Sequence, residues 1–345
     1  MAAALEIKIS RSPGERRVAL LRDGRLAAFR IERPARPDGV GDILRGRVEA
    51  RMPALGGGFV ALPGGASGFL PESECEGRRL PPEGSWLTLR VTRAAQNGKG
   101  LRVSARLPQR PGSGLALLER GPDQAQRWMA AFPDASVVCD DAAEAARLGA
   151  SHAPAFDDAL EAEAEALAEP EAPLPDGGRL IISPVAALTA VDVDSGGDDP
   201  REANRQAIRE FARQLVLRDL SGPILLDLAG LSVKQRAALE PELRAALSHD
   251  RLAQPLGLGP LGLFELRRAR IHPPLHEVLA DRALARGLAL LRRAVRERAA
   301  APHRRLALHA PPAVLAALHA LPGALEEYAG PLALRESATE EIADA

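Results

Sequence analysis

Two aspartates interrupt or end apolar runs, and carboxylates in such positions suit a metal ion. Asp192 lies within TAVDV, and Asp227 ends ILLDL. A strand buried on both faces does not normally carry an unpaired aspartate, because burying a lone carboxylate costs free energy. If the two strands are neighbours, both carboxylates reach one site, and carboxylate oxygens are ligands that Mg²⁺ prefers. The alternative is that each aspartate caps a helix or stands in a turn.

A third carboxylate follows the first at a spacing of two residues. In an extended strand, residues two apart point to the same face, so Asp194 shares the face of Asp192. We therefore count Asp194 as a third candidate catalytic residue. Asn204, on the next predicted helix, is a weaker candidate, because a solvated helix position explains it equally well.

The first third of the chain carries residue types that suit a nucleic acid. Phe59 and Phe69 lie in FVALPGGASGFLP, and small barrels expose such rings for stacking bases. Lys99 lies in a predicted turn, QNGKG, where it is open to a phosphate. Several arginines are candidates to line the same groove: Arg45, Arg47, Arg51, Arg90 and Arg93. The alternatives are core packing for the rings and plain solvated surface for the cations.

Charge is distributed unevenly along the chain, although the net charge is only -1. Residues 1–113 hold 20 Lys and Arg against 11 Asp and Glu, whereas residues 114–200 hold 4 against 18. A basic surface for a polyanion beside an acidic site for cations is one interpretation. The sequence shows no secretory signal and no apolar run of about 18 residues, so we expect a cytoplasmic protein without a membrane span.

The pattern of apolar residues changes twice along the chain. Short alternating runs separated by Gly, Pro and Asp fill the first third and predict a small antiparallel barrel, with a hairpin turn at RDG. A helix is predicted over 115–132 and another in the acidic stretch that follows, for which a flexible linker is the alternative. From Gly178 onward strands and helices alternate, which is typical of a layered α/β core. There RLIISP pairs with ALTAVDVDS, Ser232 caps a helix extending to Asp250, and further helices cover 277–300 and 312–320.

These segments, in this order, resemble the ribonuclease E/G family. The resemblance rests on RRVALLRDGRLAAFRIE, ILRGRV and GGFVALPGGASGFLP, then on LTAVDVDS, ARQLVLRDL and GPILLDL. It implies an α/β RNase H-like core with an inserted all-β OB-fold (S1 motif) domain and a small C-terminal α/β domain. The implied boundaries are 1–36 for the first part of the core, 37–113 for the OB fold, 114–276 for the catalytic core and 277–345 for the C-terminal domain.

The resemblance also implies an activity and the residues that carry it. It implies a Mg²⁺-dependent endoribonuclease that cleaves single-stranded RNA in ribosomal or messenger RNA processing or decay. Asp192 and Asp227 match the family's metal ligands, with one ion expected, and Phe59 and Phe69 match its RNA-contacting rings. Products with a 5′ phosphate and a 3′ hydroxyl would follow.

The sequence departs from the family's pattern at several points. Asp194 stands where the family has Asn. The stretch that senses a 5′ monophosphate is missing between the barrel and the segment at 115–132. The CPxCxG zinc link that joins the family's dimer is absent, so neither zinc nor a zinc-linked dimer is expected, and the oligomeric state is open. Several polar residues expected between Asp250 and Leu266 are Leu, Gly and Pro. The last three departures support a rival hypothesis, a non-catalytic RNA-binding protein that retains the scaffold. A third hypothesis, a ribosome-assembly or translation-associated module, leaves the α/β half unexplained.

Overall fold

In the computed structural model, residues 4–96, 99–175, 177–197 and 199–345 are described. The chain divides into two units. One contains Met1–Pro37, Gln124–Ala269 and Pro274–Ala345, and the other contains Asp38–Asp123 and Arg270–Pro273. The range predicted from the sequence for the OB fold was 37–113.

The chain begins with an antiparallel meander of three strands: β1 (Leu5–Ser12), β2 (Glu15–Arg22) and β3 (Arg25–Glu32). The turn between β2 and β3 consists of Asp23 and Gly24, with φ values of 51° and 75°. Positive φ at both central residues is the geometry of a type I′ turn, which Asp-Gly favours. The hairpin predicted at RDG is confirmed.

A closed barrel makes up the second unit. Its strands are β4 (Ile43–Met52), β5 (Gly57–Ala61), β6 (Ser67–Pro71), β7 (Trp86–Arg93) and β8 (Leu101–Ser104). Pairing runs β4-β5-β6-β8-β7 and returns to β4, with β6 and β8 parallel. Inward side chains such as Val60, Leu70, Leu89 and Val103 fill the barrel. This closed five-stranded arrangement is consistent with the predicted OB fold.

The next segment returns to the first unit and completes its N-terminal sheet. It contains α1 (Gln124–Ala131), β10 (Ser136–Cys139), α2 (Ala142–Leu148), β11 (Ser151–His152) and α3 (Asp158–Ala166). Strand β10 lies parallel to β1, giving the order β11-β10-β1-β2-β3. Helix α3 confirms the helix predicted in the acidic stretch, and Asp157 caps it by accepting from the Leu160 amide.

A mixed sheet forms the centre of the first unit. Its elements are β12 (Glu171–Pro173), β13 (Arg179–Pro184), β14 (Thr189–Asp194), α4 (Pro200–Leu217), β15 (Gly222–Asp227), α5 (Val233–Ala237), α6 (Glu240–Leu247), β16 (Ala253–Leu258) and β17 (Phe264–Arg268). The strand order is β12-β13-β14-β15-β17-β16. The predicted β13–β14 hairpin is confirmed, and Phe211 and Phe264 are fully buried against the sheet. Whether this sheet is RNase H-like stays a prediction.

The last segment forms a small α/β layer. It contains α7 (Leu275–Val278), α8 (Arg282–Ala300), β18 (Leu306–Ala310), α9 (Pro312–His319), β19 (Leu332–Glu336) and β20 (Glu341–Asp344). Its sheet has the order β19-β18-β20, and Leu288 and Leu308 lie in its core. None of the described helices combines the length and apolarity needed to cross a membrane.

Three of the predicted helices were wrong in extent. The helix predicted over 115–132 begins only at Gln124, because Gly121-Pro122 interrupts it and Ala116–Glu119 form strand β9, paired with β4. The helix predicted from Ser232 to Asp250 is two helices, since Pro241 is tolerated only in the first turn of the second. The helix predicted over 277–300 starts at Arg282, after the cap by Asp281.

Candidate functional site

The two aspartates of the predicted metal site are direct neighbours. Strands β14 and β15 run parallel, and Asp192 is the register partner of Asp227. Register partners on adjacent strands lie about 4.8 Å apart and point to the same face. Asp192 is exposed and Asp227 is partly exposed, whereas Val191 and Leu226 are buried beneath them. The condition that the two strands be neighbours is therefore met, and both carboxylates stand on the open face at the carboxyl ends of the strands.

Asp227 has a guanidinium partner that the sequence did not reveal. Nη1 of Arg236, on α5, donates to Oδ1 of Asp227 at 2.6 Å and to the carbonyl of Gly262 at 2.8 Å. Its Nε donates to the carbonyl of Leu231 at 3.1 Å. The Arg236 side chain is only 17% exposed against 47% for Asp227. Arg236 is thus held firmly by carbonyl oxygens and fixes one oxygen of the more exposed carboxylate.

Asp194 lies on the same face but is bound at the end of the strand. Its Oδ2 lies 3.2 Å from Nη2 of Arg179, its partner across the β13–β14 pair, and its Oδ1 accepts from the Gly196 amide at 3.1 Å. Both charged side chains of this pair are nearly half exposed. These contacts stabilise the turn after β14 and the pairing of β13 with β14. The catalytic role of Asp194 stays a prediction.

Asn204 positions the loops that follow the two aspartate strands. It is completely buried, so a solvated position does not explain it. Its amide nitrogen donates to the carbonyls of Pro200 and Ala229, and its oxygen accepts from the Ala229 amide at 3.0 Å. Since Pro200 begins α4 and Ala229 follows Asp227, one side chain ties the start of the helix after β14 to the loop after β15.

The residues present fit a magnesium ion with few protein ligands. Mg²⁺ commonly keeps several waters and takes one or two carboxylates together with substrate phosphates. Asp192 and Asp227 offer such a pair. Within the described part of the chain, no group of three or more His, Cys, Asp or Glu side chains is arranged to hold a metal. An ion here would accordingly rest on two carboxylates, water and the RNA itself.

The two predicted stacking rings stand together on the outside of the barrel. Phe59 on β5 faces Phe69 on β6, with ring centroids 5.7 Å apart and an interplanar angle of 70°. Phe59 is 36% exposed, whereas Val60 and Leu70 next to the rings are buried inside the barrel. A Cβ at Gly57 would meet the Phe69 ring at 2.7 Å, so the ring lies directly over this glycine. The rings are therefore not ordinary core residues.

The predicted cations are spread over the barrel. Lys99 is exposed and exchanges backbone hydrogen bonds with Gln96 between β7 and β8, in the connection that OB folds use for oligonucleotides. Arg45 is partly buried and donates to the carbonyl of Pro111 at 3.0 Å. Arg47 is exposed, and its guanidinium carbon lies 5.8 Å from the centre of the Trp86 ring. Trp86 is 37% exposed, and the sequence analysis overlooked it.

Of the two residues that the sequence did not point out, Trp86 and Arg236, only Trp86 carries a signal in the sequence. Trp86 is one of two Trp in the chain and precedes an alternating run, which is a usable signal for an exposed ring. Arg236 carries no such signal, because a helical arginine among polar neighbours is normally solvated. Its role depends on Gly262, which lies 26 residues away and reaches it only in the folded sheet.

The site thus combines a barrel that carries an exposed aromatic pair with an α/β sheet that carries two adjacent aspartates. Residues 126–271 match the model of the Ribonuclease E/G family. Over this segment the chain is similar to the ribonuclease E/G family. The match contains Asp192, Asp194, Asp227 and Arg236, and the barrel strands lie outside it.

Relatives agree with this assignment. The chain is 35% identical to Ribonuclease E of Escherichia coli (strain K12) over 136 residues, which is 34% of this chain and 12% of that protein. It is 38% identical to Ribonuclease E of Nostoc over 129 residues, 34% and 19% of the two chains. It is 31% identical to Ribonuclease G of Salmonella typhimurium over 141 residues, which is 38% of this chain and 29% of that protein. The chain thus spans less than a third of the length of each of these relatives.

Proposed function

We propose that this protein is a Mg²⁺-dependent endoribonuclease that cleaves single-stranded RNA in the processing or decay of ribosomal or messenger RNA. The observation that carries the proposal is the in-register pair of Asp192 and Asp227 on parallel strands. Its placement inside a segment related to ribonucleases E and G supports the reaction class.

Each part of the proposed reaction has residues to perform it. Asp192 and Asp227 would hold the ion, which supplies positive charge for the scissile phosphate and makes water more acidic. Arg236 keeps the Asp227 carboxylate in place, and Asn204 keeps the two adjoining loops together. On the barrel, Phe59 and Phe69 would stack bases while Lys99 and the arginines, Arg45 and Arg47 among them, contact phosphates. Hydrolysis would leave a 5′ phosphate and a 3′ hydroxyl.

Replacing either aspartate by asparagine separates catalysis from binding. Asp192→Asn and Asp227→Asn each remove one charged ligand, so cleavage of a short unstructured RNA should fall by about a thousandfold or more. Binding should stay close to that of the unchanged protein, because the rings and cations of the barrel are untouched. Gel-based cleavage rates and fluorescence anisotropy measure the two quantities, with Asp134→Asn as an aspartate control outside the sheet that carries the pair. Full cleavage by either variant contradicts the proposal.

A non-catalytic RNA-binding protein is the second candidate. The ion pairs of Asp227 with Arg236 and of Asp194 with Arg179 favour it, because each arginine supplies positive charge beside a carboxylate that a metal would otherwise use. This hypothesis predicts that RNA is bound and never cleaved, and that the affinity for RNA is indifferent to Mg²⁺ at constant ionic strength.

A further inference from the structure

The register of the barrel aligns two rings and two guanidinium groups in one row across four strands. Phe59 is opposite Phe69, Phe69 is opposite Arg102, and Arg102 is opposite Arg93. Paired residues of adjacent strands share a face. Because each row residue is next in sequence to a buried one (Val60, Leu70, Val103 and Ala94, respectively), the row lies on the outer surface of the barrel.

A β-bulge is what brings Arg93 into this row. Val91 is buried inside the barrel, and in a regular strand the residue two positions later would point inward with it. The register shifts between Val91 and Arg93, and the extra residue, Thr92, donates from Oγ1 to the carbonyl of Arg102 at 3.1 Å. Bulges re-aim side chains in this way next to functional sites. Arg93 therefore emerges beside Arg102 on the outside.

The two arginines are not neutralised by a carboxylate. Neither makes an ion pair within the described residues, and Nε of Arg93 is buried there without a hydrogen-bond partner. Burial, together with the positive charges of Arg102 and Arg270, lowers the pKa of Arg93. Like charges at close range repel one another. An anion bound between the two guanidinium groups would remove this repulsion and supply the missing acceptor.

We propose that Arg93 and Arg102 together bind one backbone phosphate of a single-stranded RNA whose neighbouring base stacks on Phe69. The inference rests on the proposed RNA-binding role of the barrel. The proposal also orients the bound RNA. Its bases point towards β5 and β6, and its sugar-phosphate backbone runs along β8 and β7. Arginine suits this position because its planar fork matches phosphate oxygens.

Salt dependence of binding tests the proposal. Arg93→Gln and Arg102→Gln in the full chain are titrated with end-labelled oligouridylate by fluorescence anisotropy over a series of KCl concentrations. Each variant should bind about tenfold more weakly at low salt. The slope of log affinity against log salt should decrease by up to about 0.7, the value for one phosphate contact on a single strand. Arg79→Gln, an exposed arginine of the same unit outside the row, should keep both the affinity and the slope.

Two further measurements separate a phosphate contact from a folding defect. A methylphosphonate linkage, which is neutral, is placed at successive positions of the oligouridylate. At one position the difference in RNA affinity between the unchanged protein and Arg102→Gln should disappear. The melting temperature of each variant should equal or exceed that of the unchanged protein, because a like charge has been removed. A clear loss of melting temperature together with no position-specific linkage effect would overturn the assignment.

The outcomes also distinguish this proposal from the one on which it rests. If Phe69→Ala weakens RNA binding while both arginine variants behave like Arg79→Gln, the barrel binds RNA and the phosphate site is refuted. If the unchanged protein fails to bind oligouridylate at low salt, the proposed RNA-binding function fails, and the phosphate site with it.

Discussion

The chemistry proposed for Asp227 depends on what its arginine does. Two carboxylates on register partners repel each other, and Arg236 offsets part of that repulsion while fixing Oδ1 of Asp227. Oδ2 makes no hydrogen bond within the described residues, which leaves it available towards Asp192. The same arginine is thus a positioning residue in a nuclease and a substitute for the metal in a non-catalytic relative.

Replacing Arg236 by glutamine decides between these two roles. The Asp227 side chain is nearly half exposed, so solvent screens the charge of Arg236, and losing its orienting contacts should matter more than relief of its charge. We expect the Mg²⁺ concentration for half-maximal cleavage to rise and the free energy of unfolding to fall by about 1–3 kcal/mol. Cleavage titrations with Mg²⁺ and denaturant unfolding measure these, with Arg205→Gln on α4 as an exposed control. A lower Mg²⁺ requirement would show that Arg236 occupies the place of the metal.

Local signals in the sequence were enough to predict many secondary-structure elements and insufficient to predict others. The Asp23-Gly24 turn and the cap of α5 by Ser232 depend only on residues that are close in sequence. The types of these residues were therefore enough to predict both features. Strand β9 forms because it pairs with β4, more than 65 residues earlier along the chain, and its own residues look helical. For the same reason the aspartates could be named from their apolar surroundings, whereas their pairing and the contact of Arg236 required the register of the folded sheet.

A buried ion-pair network at α3 makes the first unit sensitive to acid. Glu161 is bound by Arg17 on β2 and by Arg292 and Arg296 on α8. Burial alone raises the pKa of Glu161, but the hydrogen bond and charge of Arg17 and the other two arginines outweigh it, so its pKa lies below its usual range. A carboxyl whose pKa is lowered by folding stabilises the protein above its unfolded pKa, about 4.3, and loses this contribution as the pH falls through the folded value.

Glu161→Gln should therefore remove this part of the acid sensitivity. At neutral pH the variant leaves the buried Arg17 without its carboxylate partner, so we expect a loss of about 3–5 kcal/mol in the free energy of unfolding. As the pH falls below about 5, its stability should fall less steeply than that of the unchanged protein. Denaturant unfolding at several pH values measures both, with exposed Glu165→Gln on the same helix as control. An unchanged pH profile would contradict the role given to Glu161.

On the scale of the whole molecule, the barrel is joined directly to the helical segment that follows it. Strand β8 of the barrel is followed by β9 and then by α1 at Gln124, with no further folded module between them. The sequence there lacks the stretch that the resemblance associates with sensing a 5′ monophosphate. In the proposed function, RNA recognition therefore rests on the barrel surface of Phe59, Phe69 and the cations around them.

We accordingly expect cleavage to be indifferent to the 5′ end of the RNA. Because the stretch that the resemblance associates with 5′ sensing is missing, we expect a terminal phosphate to gain no specific contact and to add only charge, which salt screens. Cleavage rates on otherwise identical 5′-hydroxyl and 5′-monophosphate RNAs, measured at physiological ionic strength, should agree within about twofold. A strong preference for the monophosphate would place a 5′-binding site elsewhere in this chain.

We propose that the aspartate pair holds a magnesium ion and that this ion makes the protein a ribonuclease. The most direct measurement incubates the purified protein with a short unstructured RNA, in Mg²⁺ and in EDTA, and resolves the products on a gel. We predict internal cleavage with Mg²⁺, products with 5′ phosphate and 3′ hydroxyl ends, and intact RNA with EDTA. Intact RNA under both conditions, with the RNA demonstrably bound, would contradict the account and establish the non-catalytic alternative.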